Sequence, residues 1–329
     1  MMRLTKTYGG IFLAFAIVGL LRLVFPAAFL IHVVIFSIYT MAFSFLMGRL
    51  GLVSFGQPVY MGIAAYGTGL YLHYLGTNPF LGMLVGIIVG IAFAAVIGAL
   101  FVRLSSSYFT LANLALCAIG FFVFQRALVH ITRGDTGLWY LGRMSPGLLL
   151  NFRNPDHILA FALIIAAAIW VFMQHLDRSV FGATCLAVKA NERKLQFLGY
   201  DTYRIKWLGF VIANSIAAVA GTLYAVYFGF VSPAIMDVLR APEVVVVGLL
   251  GGVGTLYGPL IGTFVYVAMQ DLVSAIFVYW ELVVGMLLIL VMMAGEKGIA
   301  SLLEYPLLAR MRKRHDGRRP SFPSGHPEA

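Results

Sequence analysis

The chain has 329 residues, of which 61% are hydrophobic and only 11% charged, with a mean hydropathy of +0.93. A soluble domain carries about a quarter charged residues, so most of these side chains have no place in a fold surrounded by water. The formal net charge of +10 does not point to nucleic acid, because Lys and Arg cluster at the edges of apolar runs, where they report membrane orientation.

Apolar runs of about 20 residues, the length a helix needs to cross hydrocarbon, recur along the chain. Residues 8–25, behind Arg3 and Lys6, resemble a signal peptide. Ala27-Ala28 is a poor cleavage site, however, and Arg22 interrupts the run, so the segment reads as a retained first span. Further spans are expected at 29–48, 53–75, 80–103, 108–130, 158–176, 206–230 and 276–294. The runs are uniformly apolar. A membrane barrel alternates apolar and polar residues in segments of about ten, which leaves helices as the way to satisfy the backbone in lipid. Gly82, Gly86 and Gly90 recur every fourth position, placing small residues on one helix face for close approach by another helix.

The stretch 243–270 is apolar but interrupted near its middle by Gly251, Gly252, Gly254, Gly258 and Pro259. Basic residues decide its topology. Arg3 and Lys6, Arg49, Arg103, the loop 177–206 and the tail from Arg310 to Arg319 all read as cytoplasmic, against an outer loop 131–155 holding Arg133, Arg143 and Arg153. Eight spans return the tail to the inside only if 243–270 does not cross. It is therefore expected to form a broken re-entrant hairpin of two half-helices entering from the outer side, with positions 236 and 272 both outside. The fold class expected is an all-α polytopic integral membrane protein with about eight spans plus this hairpin. Residues 1–305 form the membrane domain, 306–329 a basic disordered tail, and both termini face the cytoplasm of a bacterial inner membrane.

Catalytic signatures are missing from the sequence. There is no GxxxxGK[ST] to cradle ATP phosphates and no HExxH. Cys117 and Cys185 stand far apart, so neither a disulfide framework, a metal site nor a cofactor is expected. Inside the spans the ionisable residues are few (His32, Arg126 and Glu281), whereas carriers driven by protons or sodium place acids or histidines at mid-membrane. The tail sequence Pro323-Ser324-Gly325-His326 resembles part of a lipid-phosphatase signature, but the chain runs only three residues further and no histidine-containing motif follows.

The loop 177–206 is the most informative polar region. Residues 183–189 suit a short helix. Asn191 suits the N-cap of a second one, with Glu192 favouring its positive start and Gly199 ending it. Leu195, Phe197 and Leu198 then lie exposed. The pattern fits either a docking surface for a soluble partner or a helix lying on the membrane.

Five segments carry a resemblance to the permeases of ATP-binding cassette importers of the branched-chain amino acid type. They are Gly51-Leu52-Val53-Ser54-Phe55-Gly56-Gln57 with Gly62-Ile63-Ala64-Ala65-Tyr66, Ser107-Tyr108-Phe109-Thr110-Leu111-Ala112, Gly182 to Gly199, Ala220-Gly221-Thr222-Leu223-Tyr224-Ala225 with Gly229-Phe230-Val231-Ser232-Pro233, and Leu249-Leu250-Gly251-Gly252-Val253-Gly254-Thr255-Leu256-Tyr257-Gly258-Pro259. They fall in order across residues 40–295, and the chain resembles the M-type subunit. The resemblance implies a second, homologous permease, two cytoplasmic ATPase subunits and an extracytoplasmic solute-binding protein, with the chain itself embedded in the lipid bilayer. It also implies that Ala187, Val188, Lys189, Asn191, Glu192, Leu198 and Gly199 couple to the ATPase. The loop around Thr132-Arg133-Gly134-Asp135-Thr136-Gly137-Leu138 departs from the family pattern, and importers of urea, amides or aromatic acids share the motifs.

For the solute path the polar mid-span residues Ser44, Gln57, Asn113 and Asn214 are the candidates, each with the alternative of bonding a neighbouring helix backbone. The glycine break either aims half-helix ends at the path or is a packing joint. Tyr60, Tyr66, Phe55 and Phe109 read as packing.

Overall fold

The computed structural model describes residues 21–22, 25–145, 152, 154–255, 257–274 and 279–294. Almost all of the expected first span, the tail with His326, and the basic residues 310–319 lie outside them.

Ten main helices are formed by the described residues: α1 (Ala27–Phe45), α2 (Gln57–Leu70), α3 (Pro79–Phe101), α4 (Ser106–Phe122), α5 (Pro155–Arg178), α6 (Val180–Phe197), α7 (Thr202–Phe228), α8 (Ala241–Gly251), α9 (Gly258–Ser274) and α10 (Trp280–Ala294). Wide π-type turns extend α1 to Leu50, α2 to Leu75 and α4 to Ala127. Among the described residues, five helices are long and apolar enough to cross a membrane: α1, α3, α4, α5 and α7 with their extensions. Local sequence sets the starts. Asn78 and Asn154 accept from the amides of Phe80 and Asp156, each with proline at the first helical position, and Ser179 and Asp201 cap α6 and α7 the same way. Gly51 and Gly229, at φ 71° and 59°, end α1 and α7 in the left-handed conformation.

Burial divides the helices by role. In α1, 89% of the most apolar stretch is buried, and in α7 72%, against 17% in α4. The first two are the core, while α3, α4 and α5 expose rows of large apolar side chains, among them Leu84, Ile88, Leu111 and Ile164. The glycine stripe of α3 faces inward onto two helices. A Cβ on Gly86 would meet Thr68, Ala64 and Thr222, and one on Gly90 would meet Ala218 and Ala64. Backbone contact at this range is what small residues permit between membrane helices, where dispersion drives association.

Helix ends gather at two poles. At one, Arg49 pairs with Asp177 at 2.7 Å, the Lys189 ammonium donates to the Gly48 carbonyl, and the Arg103 guanidinium lies over the Tyr203 ring, whose hydroxyl donates to Ala99 O at 2.9 Å. At the opposite pole Ser145 N donates to Thr77 O at 2.9 Å. There β1 (Leu138–Trp139) also pairs antiparallel with β2 (Phe230–Val231). Arg143, one of the misplaced positive charges of the sequence, donates to His73 O at 2.6 Å. Its charge serves to tie the loop down.

The broken hairpin is present. α8 runs from the second pole to the level of Phe43, which Gly248 touches, and the turn reaches Gly48 before α9 returns. Along the way back Thr263 meets Thr40, and Phe264 packs edge-on to Phe29. The segment before it also dips inward: Met236, fully buried, sits against Gly62 and Gly120 on α2 and α4. Position 236 therefore faces protein rather than the outer surface expected for it.

Candidate functional site: the basic pole and the buried polar residues

The segment 180–200 folds as two helical pieces meeting at Asn191, whose φ −164° and ψ 96° break the run. Its Oδ1 accepts from Lys194 N at 3.0 Å, so Asn191 is the N-cap of the second piece, as its sequence position implies. Gly199 closes that piece at φ +85°, with Tyr200 N donating to Leu195 O at 3.2 Å and Gly199 N to Gln196 O at 2.9 Å. This is the Schellman arrangement, which needs a left-handed residue at this point.

The two pieces are anchored from below. Val188 and Cys185 of the first are buried, and burial pushes the Cys185 thiol up to about 12. Ala187 is half-buried beside them. Lys189 Nζ reaches Gly48 O at 3.0 Å, and Glu192 pairs at 2.6 Å with Lys206, whose side chain is largely buried. Among the three apolar residues expected to be exposed, Leu195 is instead buried, because it lies on the helix face turned toward the body. Phe197 is 91% exposed, and Leu198 and Tyr200 stand out beside it. The result is a short apolar tip on a braced stem.

The four polar mid-span residues are all buried. Asn113 accepts from the Tyr60 hydroxyl at 3.3 Å and donates to Phe109 O at 2.9 Å, the helix-bonding alternative. Asn214 donates to Phe210 O at 2.9 Å, but its Oδ1 has no partner. Gln57, at 0% exposure, has neither amide atom bonded, and the Ser44 hydroxyl is also unsatisfied. The structure brings three of them into one neighbourhood. Asn113 packs on Gly56, next to Gln57, and Phe210, one turn before Asn214, stacks edge-on to both Tyr60 and Phe109. Ser44 lines a separate groove with Arg49, Asp177, Trp170, Gly254 and Thr255.

At the glycine break, Gly252 and Gly254 adopt φ +103° and +85°. A Cβ on Gly251 would clash with the Gly258 carbonyl, and Thr255 Oγ1 accepts from Gly258 N at 3.1 Å to start α9, just ahead of Pro259. Glycine is needed because the two half-helices touch backbone to backbone. Gly48, which the sequence did not mark out, is part of this joint: its own Cβ would lie 2.7 Å from Gly254 Cα. A lone glycine late in an apolar run carries no signal of that contact. Sequence reading also passed over a cavity at the opposite pole, where His32 of α1 faces Arg240 and Glu243 at the start of α8.

Residues 25–292 match the protein family described as branched-chain amino acid transport system / permease component. The high-affinity branched-chain amino acid transport system permease protein LivM of Escherichia coli is 25% identical over 80% of this chain and 67% of its own length. The high-affinity branched-chain amino acid transport system permease protein LivH of Salmonella typhimurium is 28% identical over 55% of this chain and 61% of its own length. The autoinducer 2 import system permease protein LsrC of Klebsiella pneumoniae is 31% identical over 48% and 49%. No solved structure matches.

Proposed function

Because the chain belongs to the family of permease components of branched-chain amino acid transport systems, we propose that its braced tip at Phe197 is the point through which ATP-driven motion enters the membrane helices. The chain is a transmembrane permease subunit of an ATP-binding cassette importer and not an enzyme; it is a multi-pass membrane protein working with partner subunits. The finer assignments follow. The pole carrying Arg49, Arg103 and residues 180–206 faces the cytoplasm, by the bias of basic residues. Two ATPase subunits bind there, a second permease packs beside this one, and a solute-binding protein delivers a branched-chain amino acid to the opposite pole.

The observation that carries the reading is the combination of exposure and bracing. Phe197, Leu198 and Tyr200 present apolar surface beyond the helical body, while Leu195, the Glu192–Lys206 pair and the Lys189–Gly48 bond hold their stem. A helix lying in the lipid interface has no need of such a stem. A docked partner does, because a conformational equilibrium responds only to contacts that differ between its states, and a loose segment would absorb the motion.

Phe197→Asp tests this directly, since a side chain so exposed contributes little to the fold. The ATPases should no longer co-purify with the permease pair, and solute uptake into proteoliposomes should cease while the chain stays in the membrane. Co-purification and uptake at parental levels would refute the docking role. LsrC belongs to an import system for autoinducer 2, so the choice of solute is checked separately, by the ligand that the cognate binding protein retains.

A further inference from the structure

We infer that the cavity lined by α1, α2, α7, α9 and the start of α8 holds the charged α-amino and α-carboxyl groups of an amino acid in transit, an assignment that rests on the importer reading above. The cavity opens at the second pole and encloses about 600 Å³ of empty space when the solvent at its mouth is counted. Its wall contains Arg240 and Glu243, three positions apart at the start of α8, together with Tyr39, Tyr266 and Gln270. Ile35, Met61 and Ile235 complete it with apolar surface.

Charge is scarce in this chain and gathers at the ends of helices. Arg240, exposed, and Glu243, half-buried, stand at such an end, where both line the mouth of the cavity. The chemistry selects among solutes. An α-amino acid carries a carboxylate, which a guanidinium binds through paired N–H donors, and an ammonium, which a carboxylate accepts. Its aliphatic side chain requires an apolar wall, and Ile35, Met61 and Ile235 supply one. Urea and simple amides carry no charge and would use neither Arg240 nor Glu243. The position also fits a path. Tyr39 lies midway along α1, whereas Gln270 lies near the end of α9, so the cavity runs from the second pole toward the centre of the body.

The test uses the full transporter, with both permeases, both ATPases and the binding protein, in proteoliposomes supplied with L-leucine. Arg240→Gln and Glu243→Gln should each lower uptake at saturating binding protein by about ten-fold or more, the scale of losing a hydrogen bond to a charged group, while Arg240→Lys retains more. Uptake within two-fold of the parent in both neutral variants overturns the assignment. A second readout covers variants that fail to assemble. In an otherwise parental permease pair carrying Gln270→Cys, leucine should slow modification by a membrane-impermeant methanethiosulfonate, and neither 4-methylpentanoate nor leucine methyl ester should match it. Equal modification rates with and without leucine, or equal protection by the singly charged analogues, overturn it. Absence of ATP-driven leucine uptake by the parental complex would instead strike the importer reading, leaving the protection result to decide the cavity.

Discussion

Lys189 donates its ammonium to the carbonyl oxygen of Gly48 across 3.0 Å. On its other side Gly48 lies so close to Gly254 that no Cβ fits between them. The stem of the exposed tip, the end of the core helix α1 and the turn of the broken hairpin thus meet at one glycine. Lys189 and the hairpin turn are two contacts apart.

Gly48→Ala should separate these parts. The added methyl stands 2.7 Å from Gly254 Cα, so the hairpin turn must shift. Overpacking of this kind costs about 1–3 kcal/mol. The detergent-solubilised permease pair should melt several degrees lower, and ATP hydrolysis should continue with less solute moved per ATP. An unchanged ratio of transport to hydrolysis would show that the joint carries no motion.

The pair Glu192–Lys206 offers a reversible probe. Glu192 is partly exposed, so its ion pair contributes no more than about 1 kcal/mol to stability, and Glu192→Lys should leave membrane insertion intact. Placing two ammonium groups where one pair now closes at 2.6 Å should swing the second piece of α6 away from its stem. Uptake should fall, and adding Lys206→Glu should restore part of it. Uptake unaffected by the single change would remove Glu192 from the coupling path.

Gly199→Val tests the helix end. At φ +85° a β-branched residue is strained by about 1–2 kcal/mol, although no neighbouring atom crowds the site. The Schellman closure should open and Phe197 and Leu198 should lose their fixed direction. Gly199→Asn, which tolerates the left-handed region better, should keep more uptake than valine. Equal uptake in the two variants would mean that the direction of the tip is immaterial.

Much of this architecture was legible because membrane helices advertise themselves through length, hydropathy and caps. Asn191 and Gly199 were readable as cap and stop because each does its work through local backbone geometry. The hairpin was readable from glycines that interrupt an apolar run. What escaped depends on which distant parts meet. Leu195 was expected in water beside Phe197, but a two-residue offset on a helix turns one inward and the other outward. Met236 was expected outside, yet the chain after β2 dips to Gly62, and nothing in that apolar stretch marks the descent. Gln57, Asn113 and Asn214 were found as polar exceptions, while Arg240 and Glu243, at the edge of a segment, looked like ordinary boundary residues.

Accessibility to a thiol reagent checks the topology as a whole. Both natural cysteines are buried, and the raised Cys185 thiol remains protonated at pH 7–8, well below its value of about 12, so neither should react in the folded protein. Single cysteines can therefore be introduced on the natural background. Leu239 and Leu272 are both well exposed at the two outer ends of the hairpin, and Phe197 is exposed at the basic pole. In intact cells lacking an outer barrier, Leu239→Cys and Leu272→Cys should label with an impermeant maleimide, whereas Phe197→Cys should label only after the membrane is opened. Met236→Cys, buried against Gly62, should stay silent from either side. Labelling of Leu239→Cys and Leu272→Cys from opposite sides would make the hairpin a true crossing. Labelling of Phe197→Cys from outside would invert the protein and with it the docking surface.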